Sequence, residues 1–213
     1  NEAGGATYAI NEITISNNLI LQGNGCTLQL TGSAGAQAAF ICNAELDYVI
    51  IRDFVCAFSG VSGNSGVEFF TNLDEGPRND LTHEPLQDHT VRSIARLEIG
   101  ACDLGHAKIV IVGGDTVAYI ARNKWSHANT VKVAPAYLSI YGEATDVDAT
   151  SKYKHARIID NDFEVWPVDG GNVDIIKISG ARENVIIRGN NIKNLNPAAG
   201  GQVGLFRGGH RAK

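Results

Sequence analysis

A six-residue corner recurs five times along this chain, and it restricts the fold more than any other feature. Ile187 to Ile192 reads IRGNNI, Ile158 to Phe163 IIDNDF, Ile120 to Trp125 IARNKW, Ile99 to Leu104 IGACDL, and Leu21 to Cys26 LQGNGC. Each copy opens on an aliphatic residue and places Asn190, Asn161, Asn123, Cys102 or Asn24 three positions later. Two positions further on stands Ile192, Phe163, Trp125, Leu104 or Cys26. The flanking runs, such as Ile175 to Ile178 and Val185 to Ile187, are short, β-branched and without helical spacing, so they read as strands. Asparagine suits a sharp corner because it tolerates left-handed backbone, and stacked amides can hydrogen-bond from copy to copy. Along the chain the middle positions lie 78, 21, 38 and 29 residues apart. Such a unit cannot bury its apolar face alone, so the copies must stack.

The pattern predicts an all-β fold, a right-handed parallel β-helix forming a single domain over residues 1–213. Apolar residues make up 44% and charged residues 19%, which suits an ordered core rather than a tail. A net charge of −5 argues against a nucleic-acid partner, which needs a basic surplus. No apolar run reaches the roughly 20 residues of a membrane span. Residues 1–12 lack a period and read as a lead-in segment. Residues 74–90, DEGPRNDLTHEPLQDHT, read as a protruding loop. The chain opens at Asn1 without Met and closes soon after VGLFRGG, so a trimmed or truncated piece lacking a C-terminal cap is expected. Cys26, Cys42, Cys56 and Cys102 have no C-x-x-C spacing and are expected to be buried free thiols. The histidines show no metal-ligand spacing, so no metal site is expected.

The strand, Asn corner and strand units resemble the pectate-lyase-like β-helix superfamily, which includes polysaccharide lyases and phage tailspike depolymerases. The resemblance covers Ile13 to Gly209. It implies an acidic polysaccharide as partner, an extracellular or virion-surface location, and a homotrimer as the tailspike form of assembly.

A parallel β-helix has no deep interior pocket, so its chemistry belongs on an outer face. If Val131, Val133, Ile176, Ile178 and Phe206 point inward, then Lys132, Lys177 and Arg207 form an outward basic row, with Asp174 to offset Lys177. That row suits a uronic-acid chain. In β-elimination a base takes the C5 proton, a cation neutralises the carboxylate, and an acid assists the leaving oxygen. Lys177 can serve as base if positive neighbours lower its pKa, and an arginine clamps carboxylate well. DIIKISGARENVIIRGNNI followed by GLFRGGHR is similar to the Lys-then-Arg signature of the alginate lyase and chondroitinase B family. The similarity implies Lys177 as base and Arg207 as acid or carboxylate partner. The calcium-holding acids of that family are replaced by Gly170 and Asn172, so no cofactor is expected. Lys132, Asp174, His210 and Trp166 are the candidate substrate-binding residues, the tryptophan as a platform for a sugar ring. Two alternatives stand beside this reading. One is a glycan hydrolase using two carboxylates among Asp160, Asp162, Glu164, Asp169 and Asp174. The other is a non-catalytic carbohydrate-binding or attachment β-helix.

Overall fold

The computed structural model describes residues 5–10, 12–31, 37–59, 67–72, 92–112, 116–126, 137–141, 153–165, 173–179, 182–195 and 203–209. Among them there is no helix, hence none long and apolar enough to cross a membrane. In chain order, β1 (Thr7–Ile10) is followed by β2 (Ile13–Ile15), β3 (Leu19–Thr31), β4 (Gln37–Cys42) and β5 (Leu46–Ser59). Next come β6 (Val67–Thr71), β7 (Ile94–Gly100), β8 (Lys108–Val112), β9 (Val117–Ala121) and β10 (Lys124–Trp125). They lead to β11 (Leu138–Tyr141), β12 (Tyr153–Ile159) and β13 (Asp162–Val165). The last are β14 (Val173–Ser179), β15 (Arg182–Arg188), β16 (Asn191–Asn194) and β17 (Val203–Gly209).

All named strand pairs are parallel and they make three sheets. The first runs β1-β3-β5-β7-β9-β12-β15, the second β2-β4-β6-β8-β11-β14-β17, and the third β10-β13-β16. The chain therefore steps from second sheet to first, then to the third where one is present, and returns. Each circuit lies beside the one before it.

The aliphatic residues of the corner copies form one line across the first sheet. Leu21 pairs with Ile51, Ile51 with Ile99, Ile99 with Ile120, Ile120 with Ile158, and Ile158 with Ile187. Ile51 belongs to a sixth copy, IRDFVC, which the sequence concealed because Phe54 stands where Asn is expected. Intervals of 21, 38 and 29 residues are single circuits. The interval of 78 holds two, with Ile51 between them. At the far side of the corner Trp125 stacks on Phe163, centroids 4.6 Å apart and planes 17° from parallel. Phe163 pairs in turn with Ile192. Both apolar marks of the hexapeptide thus face the core, where alternate burial of β-branched and aromatic side chains stabilises each circuit against the next.

The corner corrects one expectation. Outside Asn24, left-handed backbone falls not on the asparagines but on Asp53 (φ 60°), Ala101 (55°), Arg122 (58°), Asp160 (54°) and Gly189 (65°). Each stands one position before Phe54, Cys102, Asn123, Asn161 or Asn190. The asparagines are thereby turned inward and make a ladder. Asn190 Oδ1 accepts from Asn161 N–H (3.0 Å) and Asn161 Nδ2 (2.9 Å). Asn161 Oδ1 accepts from Asn123 N–H (2.9 Å) and Asn123 Nδ2 (3.3 Å). Asn123 Oδ1 accepts from Cys102 N–H at 3.1 Å. Nδ2 of Asn123, Asn161 and Asn190 also donates to the carbonyls of Ile99, Ile120 and Ile158, each at 2.9 Å. Asn24 takes no part. It has φ 52° and is exposed in a bulge between Gln22 and Cys26, through which β3 runs on.

Two other segments differ from expectation or lie beyond it. Thr7–Ile10, expected to be irregular, is a strand paired with Thr27 to Leu30; four residues are too few to show a period in the sequence. Residues 74–90 lie outside the described residues.

Gly189 offers a local test of the corner. A Cβ there would meet Asp160 Oδ1, and the positive φ adds backbone strain. Gly25 (φ 77°) has open space around its Cβ position. Gly189→Ala is expected to cost about 2 kcal/mol, and Gly25→Ala about 1 kcal/mol from backbone strain alone. Denaturation midpoints check the order.

Candidate functional site

Lys177 is half-buried in β14 between the fully buried Ile176 and Ile178. Its register partners are Ser139 of β11 on one side and Arg207 of β17 on the other. The expected neighbourhood of Lys177 and Arg207 is therefore present in the backbone register. The strand on the opposite side is LSIY, Leu138–Tyr141, which pairs with both β8 and β14. Ser139, and not Lys132, thus fills the slot beside Lys177. Lys132 itself lies outside the described residues, as do His210, Trp166 and Asp169.

Asp174 pairs with Gly204. Ile175 and Ile176 are both in the core, so strict alternation does not extend from Lys177 back to Asp174. Of the acids considered for hydrolysis, Asp160, Asp162 and Glu164 make local contacts between neighbouring strands and corners. Asp160 is the left-handed corner residue packed against Gly189. Asp162 Oδ1 accepts from Asn191 Nδ2 at 3.2 Å, and Glu164 lies 4.0 Å from Lys193 Nζ. These are links between successive circuits.

The same sheet holds a charged pair that sequence reasoning missed. Glu68 of β6 is in register with Lys108 of β8, and they are only 2% and 7% exposed. Between Glu68 and Phe70 the register slips, and Phe69 and Phe70 both enter the core. Glu68 Oε2 has no hydrogen-bond partner. Burial pushes the Glu68 carboxyl up to about 8, with the Lys108 ammonium pulling it the other way. Burial lowers Lys108, opposed by the Glu68 charge. In sequence, VEFFT and KIVIV show one charge each in an apolar strand. Nothing local tells that the two charges meet across a gap of many residues.

Thr71 of β6 pairs with Val110, and Val110 with Ser139, so one register line joins the Glu68/Lys108 strands to Lys177 and Arg207. Cys42, Cys56 and Cys102 are buried as expected, whereas Cys26 is only partly buried. All four are free, and burial raises the Cys56 thiol and brings that of Cys102 to about 11, which keeps both as inert thiols. No family model, curated protein or solved structure matches the chain.

Proposed function

We propose that the circuits wind as a right-handed parallel β-helix. Its second sheet engages an acidic, uronate-containing polysaccharide and cleaves it by β-elimination. Support for the helix is the repeated passage from second sheet to first to third with the circuits in parallel register. Parallel crossovers are right-handed in nearly all proteins. The observation that carries the function is Lys177 opposite Arg207 on adjacent strands. Adjacent strands lie about 4.8 Å apart, a separation at which one uronate can meet a base at C5 and a guanidinium at its carboxylate.

In this scheme Lys177, as the free amine, takes the C5 proton. The electron pair forms the C4–C5 double bond, and the C4–O bond breaks. The leaving oxygen takes a proton from water as the chain parts. Arg207 holds the carboxylate, whose charge grows as the C5 proton leaves. The protein acts, on this reading, outside a cell or on a virion surface.

The test is incubation with alginate, pectate, glycosaminoglycans and bacterial capsule, following the ultraviolet absorbance of the unsaturated uronate. Lys177→Ala is expected to reduce product formation by about 10²-fold. Product formation that survives this substitution removes Lys177 as base. New reducing ends without the absorbance would replace elimination by hydrolysis.

A further inference from the structure

The outward side of the first sheet carries two tyrosine–arginine pairs on successive circuits, set two residues apart in register, with Glu98 of β7 opposite Tyr119. Tyr48 of β5 stands opposite Arg96 of β7. The Arg96 guanidinium lies 5.9 Å from the Tyr119 ring centroid of β9. Tyr119 stands opposite Arg157 of β12, whose guanidinium lies 5.4 Å from the same centroid. Tyr48 is 37% exposed, and Arg96 and Arg157 are exposed. The leucine, alanine and isoleucine positions between them face the core.

Charge on this face is unbalanced. Glu98 is bound by Arg52 at 2.5 Å and by Arg96 at 3.1 Å. Arg157 has no carboxylate partner among the described residues. Glu98 thus pairs with Arg52 and Arg96 and leaves Arg157 uncompensated, on a chain of net charge −5. Two cations flanking one ring repel each other across two strand spacings, on the order of 10 Å. A bound anion relieves that repulsion. The Tyr119 ring is covered by the two guanidiniums, and the exposed Tyr48 ring beside Arg96 offers an apolar face to a sugar.

We propose that this face binds a linear, negatively charged glycan laid across the strands. One strand spacing is close to the length of one pyranose in such a chain. Acidic groups on alternate sugars then meet Arg96 and Arg157 on either side of Tyr119, and a further sugar lies on the Tyr48 ring. This face is on the first sheet and uses neither Lys177 nor Arg207, so it does not depend on the elimination chemistry.

The probe is an end-labelled dextran sulfate oligosaccharide, with neutral dextran of the same length for comparison. Neither contains a uronate, so neither is an elimination substrate, and loss of the lyase reading leaves this measurement intact. Fluorescence anisotropy on the full chain is expected to show binding of the sulfated chain that weakens steeply with salt, and none of the neutral one. Arg157→Gln and Tyr119→Leu are each expected to weaken it on the order of tenfold. Lys124→Gln, away from these residues, is expected to bind as the parent does. Thermal unfolding of Arg157→Gln should match the parent, since the side chain is exposed. Equal binding of sulfated and neutral chains, or unchanged affinity in Arg157→Gln, overturns the proposal. Tighter binding of single-stranded oligouridylate than of dextran sulfate overturns it in favour of a nucleic-acid face.

Discussion

Asn161→Ala is expected to destabilise the fold by about 3–5 kcal/mol. The side chain makes four hydrogen bonds at the centre of the ladder, with Asn123 N–H, Asn123 Nδ2, the Ile120 carbonyl and Asn190 Oδ1. Truncation leaves the buried Asn123 N–H and the Ile120 carbonyl without partners, in a place water does not reach. Each such group costs about 1–3 kcal/mol. Asn190 sits at the end of the ladder and is only half-buried, so Asn190→Ala is expected to cost about 1–2 kcal/mol. Asn161→Asp separates hydrogen bonding from packing. It keeps the volume but faces the Ile120 carbonyl and Asn190 Oδ1 with an acceptor. That variant should be weak at neutral pH and recover as acid protonates it. Denaturant midpoints and amide exchange at Asn123 are the readouts. An Asn161→Ala midpoint within about 1 kcal/mol of the parent would show that the ladder is ornamental to stability.

Glu68→Gln should make the protein more stable at alkaline pH while leaving its stability near pH 4 almost unchanged. The folded carboxyl titrates near 8 against an ordinary 4.5, so the folded state holds its proton more tightly than the unfolded chain. The stability contributed by the protonated form is fully present below 4.5. It is lost progressively as pH rises through 8. One pKa unit corresponds to about 1.4 kcal/mol, so the shift sets an upper bound of roughly 5 kcal/mol. The effect expected is about 2–4 kcal/mol, since solvation by local opening softens burial costs. Glutamine keeps the shape and cannot ionise, so the difference between variant and parent isolates this group from the histidines. Lys108→Met removes the opposing cation and should move the loss to higher pH. A variant-minus-parent difference that stays flat from pH 5 to 9 would rule out the buried carboxyl as its source.

Much of the first sheet was legible in the sequence. The corner hexapeptides mark the line from Leu21 to Ile187, the stacked Trp125 and Phe163, and the three asparagines of the ladder. All of these depend on spacing within about six residues, which local sterics and alternate burial enforce wherever the motif occurs. The two errors at the corner have the same origin. Asn24 carries the motif but sits in a bulge, and Ile51 occupies the line without its Asn. Composition alone cannot separate a residue turned inward from one held left-handed beside it.

The candidate site was less legible. Lys177 and Arg207 were expected on one sheet in successive or nearby circuits, and their backbones are in register. Lys132 was assigned to a strand by its pattern, but the slot belongs to Leu138–Tyr141. Glu68 and Lys108, and the tyrosine–arginine pairs from Tyr48 to Arg157, carry no local signal at all.

By itself, then, the sequence determines the all-β character and parallel strands of the described residues, with the apolar line and the asparagine corner in place. Tertiary structure alone decides which charges meet. Circuits of 21, 29 and 38 residues differ in the excursions between their strands. The register across a sheet is therefore set by the packing of the core, not by distance along the chain, and side chains on the outer faces inherit whatever neighbours that packing assigns.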